Sequence, residues 1–342
     1  MTPRPRPSTL TPVLIAATAF VAAGFGALVL GGSGDGSAGA PTQTPGDPSA
    51  ASEHAVQVAL PSVVQIESTG KLGSGIVFDG DGDIVTNAHV VSGARTFTVT
   101  TQAGTRHRAT LRGAFAANDL AVIRTTDTGL KPARFGDSSE LKVGERALAI
   151  GNPLGLRSSV TDGIVSATSR TVSEGNGVAL TSVIQTSAAI NPGNSGGALI
   201  DLTGAVIGIP TLAATDPELG GSAAPGVGFA ISSNTVKKIA GQLASEGRVV
   251  ASGRASLGVE LRSLPTRGVL VAGVATGGPS ASAGVRAGDR IAAIAGQRVD
   301  SVDAVALTLA EHEPGDRVRL ELQEPDGTTR VVTIKLGQLP GR

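Results

Sequence analysis

Apolar residues recur along most of this chain in short runs broken by Gly, Asp and Asn, a strand-like spacing rather than a helical one. From about Val56 to Ile231, runs such as Gly75 to Phe78, Asp83 to Thr86, Thr96 to Thr101 and Leu120 to Arg124 predict strands. That pattern suits an all-β barrel or sandwich, and the region has room for two six-stranded barrels. The period changes after Ile231: Val236, Ile239, Ala240 and Leu243 fall at i, i+3, i+4 and i+7 and predict a short helix, Asn234 to Leu243, capped by Ser233 or Asn234. A last segment, about Gly253 to Leu339, returns to strands at Gly268 to Val274, Arg290 to Ile294, Val318 to Gln323 and Arg330 to Leu336. One amphipathic helix there runs through Val302, Val305, Ala306 and Leu309.

The N-terminus reads differently. An apolar stretch from Val13 to Leu30 follows Arg4 and Arg6 and, at about 1.5 Å per residue, comes close to the roughly 30 Å hydrocarbon core of a bilayer. Arginines before it and none just after favour a cytoplasmic N-terminus with everything beyond it outside. A cleaved signal peptide is the alternative, with Ser37 to Ala40 as its small-residue site, but the stretch exceeds a usual signal core and Pro41 follows the site. From Gly31 to about Ala51 the chain is Gly, Ser, Ala, Pro and Thr, the composition of a flexible tether.

At 342 residues the chain is long enough for more than one domain. Lys+Arg and Asp+Glu both number 28, so there is no basic field to attract nucleic acid. With no cysteine, any nucleophile must be an oxygen or an amine. Asp79 to Asp83 resembles the start of a calcium loop, but Ile84 and Val90 stand where that loop requires glycine and glutamate, so an Asp-Gly hairpin turn is the better reading.

The candidate nucleophile is Ser195, in Asn191-Pro192-Gly193-Asn194-Ser195-Gly196-Gly197. A serine flanked by glycines can sit on a tight turn whose amides converge; here the Gly193 and Ser195 N–H groups would hold an oxyanion, each worth roughly 3 to 4 kcal/mol. A hydroxyl needs a base. Of the four histidines, His54, His107 and His312 lie in polar surroundings and read as solvated surface residues, whereas His89 follows the strand Ile84 to Thr86 among small and apolar neighbours. Asp119 opens the apolar run Leu120 to Ile123 and can orient that base. Each motif alone is as readily a turn, but their order, His, Asp, Ser, is that of chymotrypsin-like barrels and not of subtilisins or α/β-hydrolases. A non-catalytic chaperone or PDZ scaffold, the alternative reading, has no use for all three. No metal or cofactor is called for by this chemistry.

Thr86 to Val91, Asp119 to Ile123, Ala149 to Gly155, Asn191 to Gly197, Thr161 to Ser166 and Gly226 to Ile231 together resemble the HtrA (high-temperature-requirement) family of serine proteases. The resemblance implies a trypsin-like double β-barrel, cleavage of unfolded or signal-bearing proteins outside the cytoplasm without ATP, and small or medium aliphatic residues before the cut bond. Ser256 to Val259 and Gly278 to Ile291 resemble the two signatures of a PDZ domain, which implies that Leu257, Gly258 and Val259 bind a peptide's C-terminal carboxylate by backbone amides and β-augmentation. Arg254 could add charge there, although an arginine at a domain boundary is more often solvated. Ser187 stands where the family usually has aspartate, Ala198 where proline is common, and Pro210 lies in the strand expected to line the substrate channel, where it lacks an N–H. Homotrimers are a further implication, though the aromatic residues that knit them are missing from Ala51 to Leu60.

The expected organisation is therefore a cytoplasmic segment 1–12, a transmembrane anchor 13–30, a linker 31–54, an all-β, chymotrypsin-like double-barrel protease domain 55–250 and a small α+β PDZ domain 253–339. Its expected partners are unfolded or misfolded proteins, C-terminal peptides and the membrane, but not nucleic acid.

Overall fold

The computed structural model describes residues 48–341 apart from 69, 128, 153–158, 176, 192, 217–221 and 265–267. The proposed anchor, 13–30, lies outside the described residues; no helix among those described is long and apolar enough to cross a membrane. Pro48–Ala59 forms helix α1, so the tether predicted to reach residue 54 gives way to structure earlier. Two of its four alanines, Ala55 and Ala59, are buried in the main core: the composition that suggests a flexible linker also suits a helix packed closely on a barrel.

The alternating runs fold into two closed six-stranded antiparallel barrels, which dispose of sheet edges by closure. Strands β1 (Val63–Ser68), β2 (Lys71–Val77), β3 (Asp83–Thr86), β4 (Thr96–Thr100), β5 (Arg106–Phe115) and β6 (Leu120–Thr125) make the first, in the order β1-β2-β3-β6-β5-β4. The second comprises β7 (Arg146–Gly151), β8 (Ser159–Gly175), β9 (Val178–Thr186), β10 (Ala198–Ile200), β11 (Val206–Asp216) and β12 (Ser222–Ser232), in the order β10-β11-β12-β9-β8-β7. In the β2–β3 connection the Asp79 carboxylate accepts the amides of Asp81 and Asp83, the expected turn. Between β3 and β4 the chain makes one helical turn, α2 (Ala88–Val91), rather than simply ending a strand.

One hydrophobic cluster joins the barrels: Ile76, Val85 and Val122 of the first and Ile150, Ile209 and Ile231 of the second all pack into it. Helix α3 (Ser233–Glu246) completes it with the four predicted residues, Val236, Ile239, Ala240 and Leu243, each almost fully buried. The helix is longer than its periodicity indicates, and its cap position is Ser232, whose hydroxyl contacts the Thr235 hydroxyl instead of a backbone amide. At its other end Arg112 donates to the carbonyls of Ala244 and Ser245, and Gly247 turns into the left-handed region at φ 69°. Gly113 makes this contact possible, because a Cβ there would lie 2.3 Å from the Gly247 carbonyl oxygen.

The C-terminal module has its own core, built on Val269, Val271, Ile291, Leu320, Leu322 and Ile334. Two-residue strand β13 (Ala255–Ser256) precedes β14 (Val259–Ser263) and β15 (Val269–Val274); the short helix α4 (Pro279–Ser282) leads to β16 (Arg290–Ile294) and β17 (Gln297–Arg298). Helix α5 (Val302–Ala310), capped by the Ser301 hydroxyl on the Ala304 amide, is followed by β18 (Arg317–Gln323), β19 (Thr329–Lys335) and β20 (Gly337–Gln338). The main sheet runs β14-β15-β16-β18-β19, with β17 on β16 and β13 paired to β20.

Leu243 is fully buried where α3 meets both barrels. Leu243→Ala should therefore lower the unfolding free energy by about 2 to 5 kcal/mol in urea titrations; a loss within 0.5 kcal/mol, the range of an ordinary surface substitution, would mean that α3 does not seal this core.

Candidate active site

Strand register brings the first two candidates together. Strand β3 pairs antiparallel with β6, Thr86 opposite Ala121, so the residues just after β3 face those just before β6. The ladder carries on past the strands, with the Ala88 amide donating to the Asp119 carbonyl at 3.1 Å and the Asn87 side chain to the same carbonyl at 2.9 Å. His89 then lies directly over the Asp119 carboxylate. Its amide donates to Oδ1 at 3.0 Å, and its Nδ1 lies 2.8 Å from Oδ2. Asp119 adopts φ 47°, ψ 42°, a left-handed conformation that aspartate tolerates better than most residues and that turns its side chain back toward α2. The second barrel adds the Thr211 hydroxyl, which donates to the same Oδ2.

The Asp119 side chain is 4% exposed and that of His89 45%, so the pair has a dry end and an open end. Burial pushes the imidazole's basicity down, but the hydrogen bond and charge of Asp119, helped by Glu174, outweigh it and leave the pKa of His89 above its usual value.

Ser195 arrives from the other barrel. The turn Gly193 to Gly197 leads into β10, beside Gly151 at the end of β7, where a Cβ would be 2.6 Å from the Asn194 Cα. Ser74 of β2 clamps this turn: its amide donates to the Ser195 carbonyl at 3.0 Å, its hydroxyl to the Gly193 carbonyl at 2.6 Å, and the same hydroxyl accepts the Asn152 amide at 2.8 Å. Gly196, at φ 79°, packs so closely on the segment leading to His89 that a Cβ would sit 2.2 Å from the Ser74 carbonyl oxygen and 2.3 Å from Thr86 Oγ1. Its amide donates to the Pro210 carbonyl at 3.1 Å, so the proline contributes an acceptor although it has no donor. The Gly193 and Ser195 N–H groups bond no other described residue. Ser187 holds its strand end through its hydroxyl, which accepts the Ile164 amide at 3.0 Å.

The other histidines are less uniform than their sequence settings suggest. His54 is exposed on α1, but His107 is mostly buried against Asp127, 2.9 Å away, and His312 lies 3.6 Å from Asp316. Register explains His107: it pairs with Val99 between the barrel strands rather than in a polar turn.

Two residues of the site carry no signal in the sequence. Thr211 reaches Asp119 only because β11 passes beneath the barrel seam, and Glu174, near the tip of the β8–β9 hairpin, is brought back over the pair. His89, Asp119 and Glu174 each place a ligand-type atom within 4.8 Å of those of the other two. Burial and the charge of Asp119 push the Glu174 carboxyl up to about 6, while His89 pulls it down.

In the C-terminal module, Leu257, Gly258 and Val259 line a groove of about 440 Å³ together with Val302, Val305 and Leu309 of α5. Gly258 takes φ 68°, in close contact with Pro279. Gly177 at the hairpin tip also lines the groove, and its amide donates to the Asp303 carboxylate. Arg254 is not solvated as its boundary position suggests: it borders the groove, and its guanidinium donates to the Ala117 carbonyl, two residues before Asp119.

Residues 73–209 match the family model for a trypsin-like peptidase domain, and residues 255–336 that for a PDZ domain. The chain is 38% identical over 308 residues to the serine protease PepD of Mycobacterium tuberculosis, the match spanning 84% of this chain and 66% of that one. It is 38% identical over 291 residues to the serine protease Do-like HtrA of Lactococcus lactis subsp. cremoris, spanning 78% and 70%. Thus the chain spans about two thirds of the length of these curated relatives. Among solved structures, the HtrA-type protease AlgW with tripeptide superposes at a TM-score of 0.58 with 34% identity, covering 84% of this chain and 97% of that one. The serine endoprotease of Yersinia pestis gives 0.57 and 32%, with 87% and 100% covered.

Asp119 raises the His89 pKa while burial lowers it. In Asp119→Asn the hydrogen-bonded charge is gone and the burial remains, so the His89 pKa should fall below that of the unaltered protein. An NMR titration of the ring protons reads this directly, and an unchanged or higher value would refute the account.

Proposed function

The chain belongs to the HtrA-type serine proteases, trypsin-like peptidases with a PDZ domain, and from that premise we propose a membrane-anchored, extracytoplasmic endopeptidase that cuts unfolded or signal-bearing proteins through Ser195, His89 and Asp119. The observation that carries the catalytic assignment is the direct contact of His89 with a buried Asp119, at the end of the barrel where the Ser195 turn is clamped to the segment leading to His89. In this reading neutral His89 takes the Ser195 proton as Oγ attacks the substrate carbonyl. The Asp119 carboxylate stabilises the imidazolium that results and fixes its tautomer. Negative charge on the carbonyl oxygen is met by the Gly193 and Ser195 N–H groups, which have no competing partner among the described residues. His89 then protonates the leaving amine, and water repeats the sequence to release the acyl group.

The groove at Leu257, Gly258 and Val259 is the proposed site for the C-terminus of a peptide, with the edge of β14 offering a ladder and α5 the apolar wall. Placement outside the cytoplasm accords with a relative named a probable periplasmic serine endoprotease, from Chlamydia trachomatis, and with the apolar segment Val13 to Leu30. Homotrimeric assembly belongs to the same family-based reading.

Ser195→Ala and His89→Ala should each reduce cleavage of casein by roughly four to six orders of magnitude, since the three residues act as a unit. Ser195→Ala should also abolish labelling by a fluorophosphonate; substantial cleavage or labelling in that variant would overturn the assignment. The anchor has a separate check. The full chain expressed in bacteria should sediment with membranes and resist extraction by high salt, because its attachment is apolar. A soluble product beginning between Gly39 and Thr42 would make the segment a cleaved signal instead.

A further inference from the structure

Asp119 and Glu174 differ sharply in how their charges are met. Asp119 receives the His89 amide, the His89 ring and the Thr211 hydroxyl. None of the described residues hydrogen-bonds the Glu174 carboxylate, which is half-buried and comes within 4.8 Å of both His89 and Asp119. Lys71, whose charge also acts on His89, is exposed and directs its ammonium at the Ser92 carbonyl at 3.1 Å. When His89 is neutral, as a general base must be, it therefore lies between two carboxylates with no matching cation directed at them among the described residues. Like charges this close in a partly dry cleft create a strong local preference for a positive group.

We propose that Glu174 is a specificity-determining residue for the protease reaction, recruiting a basic side chain of the substrate close to the bond that is cut. This deepens the serine protease reading and rests on it. The cation is supplied by the substrate itself: a lysine or arginine flanking an aliphatic residue at the cut bond would give the half-buried carboxylate the partner that no described residue provides. An acidic side chain in the same place would meet two negative charges. Specificity of this kind arises as much from rejecting the wrong charge as from binding the right one.

The test uses the full chain with matched fluorogenic peptides that keep one aliphatic residue before the cut bond and carry Lys, Gln or Glu in turn at each neighbouring position. At one or more positions kcat/KM should favour Lys over Glu by about tenfold. The preference should shrink to within about twofold in Glu174→Gln and invert in Glu174→Lys. The carboxyl titrates near 6, faced by His89 and Asp119. The Lys-to-Gln ratio should therefore be largest above that pH and fade below it, even though the activity of both peptides follows His89. A wild-type enzyme indifferent to charge at every position, or one whose preference survives Glu174→Gln, overturns the proposal. So does a Glu174→Gln enzyme that cleaves all peptides faster by one common factor, because Glu174 would then merely cover His89. Fluorophosphonate labelling separates the two levels: labelling without a charge preference sinks this proposal alone, whereas no labelling of the wild type sinks the protease reading and this proposal with it.

Discussion

Burying the Asp119 carboxylate is the constraint around which the two barrels meet. An ionised carboxylate with 4% of its side chain exposed is tolerable only when its lone pairs are filled, and the donors come from both barrels: His89 from the first and Thr211 from the second. Neither barrel could supply the whole set. The left-handed backbone at Asp119 aims the side chain at this seam, and the β3–β6 register delivers His89 to the same place.

The serine turn is held by a second link across the seam, through Ser74. This small residue of β2 donates twice to the turn and accepts once from Asn152, so the Gly193 and Ser195 carbonyls are pinned while their N–H groups bond no other described residue. The glycines are required by distance as well as by conformation. At Gly151 a methyl group would collide with Asn194, so the turn could not pack on β7, and at Gly196 it would collide with Ser74 and Thr86, so the turn could not approach the first barrel.

Much of this was legible because periodicity reports burial. The runs Asp83 to Thr86 and Leu120 to Arg124 are strands as expected, and the four apolar positions on α3 fill the seam. What escaped had no local signature. Thr211 and Glu174 act through tertiary proximity alone, one from a strand and one from a hairpin that folds back over the cleft. His107 was misread because its polar neighbours are strand residues whose side chains alternate outward while its own packs on Asp127. The early start of α1 and the engaged guanidinium of Arg254 have the same origin, since composition does not reveal which surface will be covered.

Closure of both barrels has a consequence for the company this protein keeps. In the closed barrels every strand has a neighbour on each side, so neither barrel ends in an open edge. At the far end of the C-terminal sheet, β19 carries Arg330 and Lys335, and Arg330 is tied to Asp289 and Glu324. The β14 side is different: it ends the sheet, and its rim borders the groove walled by α5. A protease built almost entirely of β-structure thus leaves no open sheet edge in its two barrels, and keeps an open rim beside α5 in its C-terminal module.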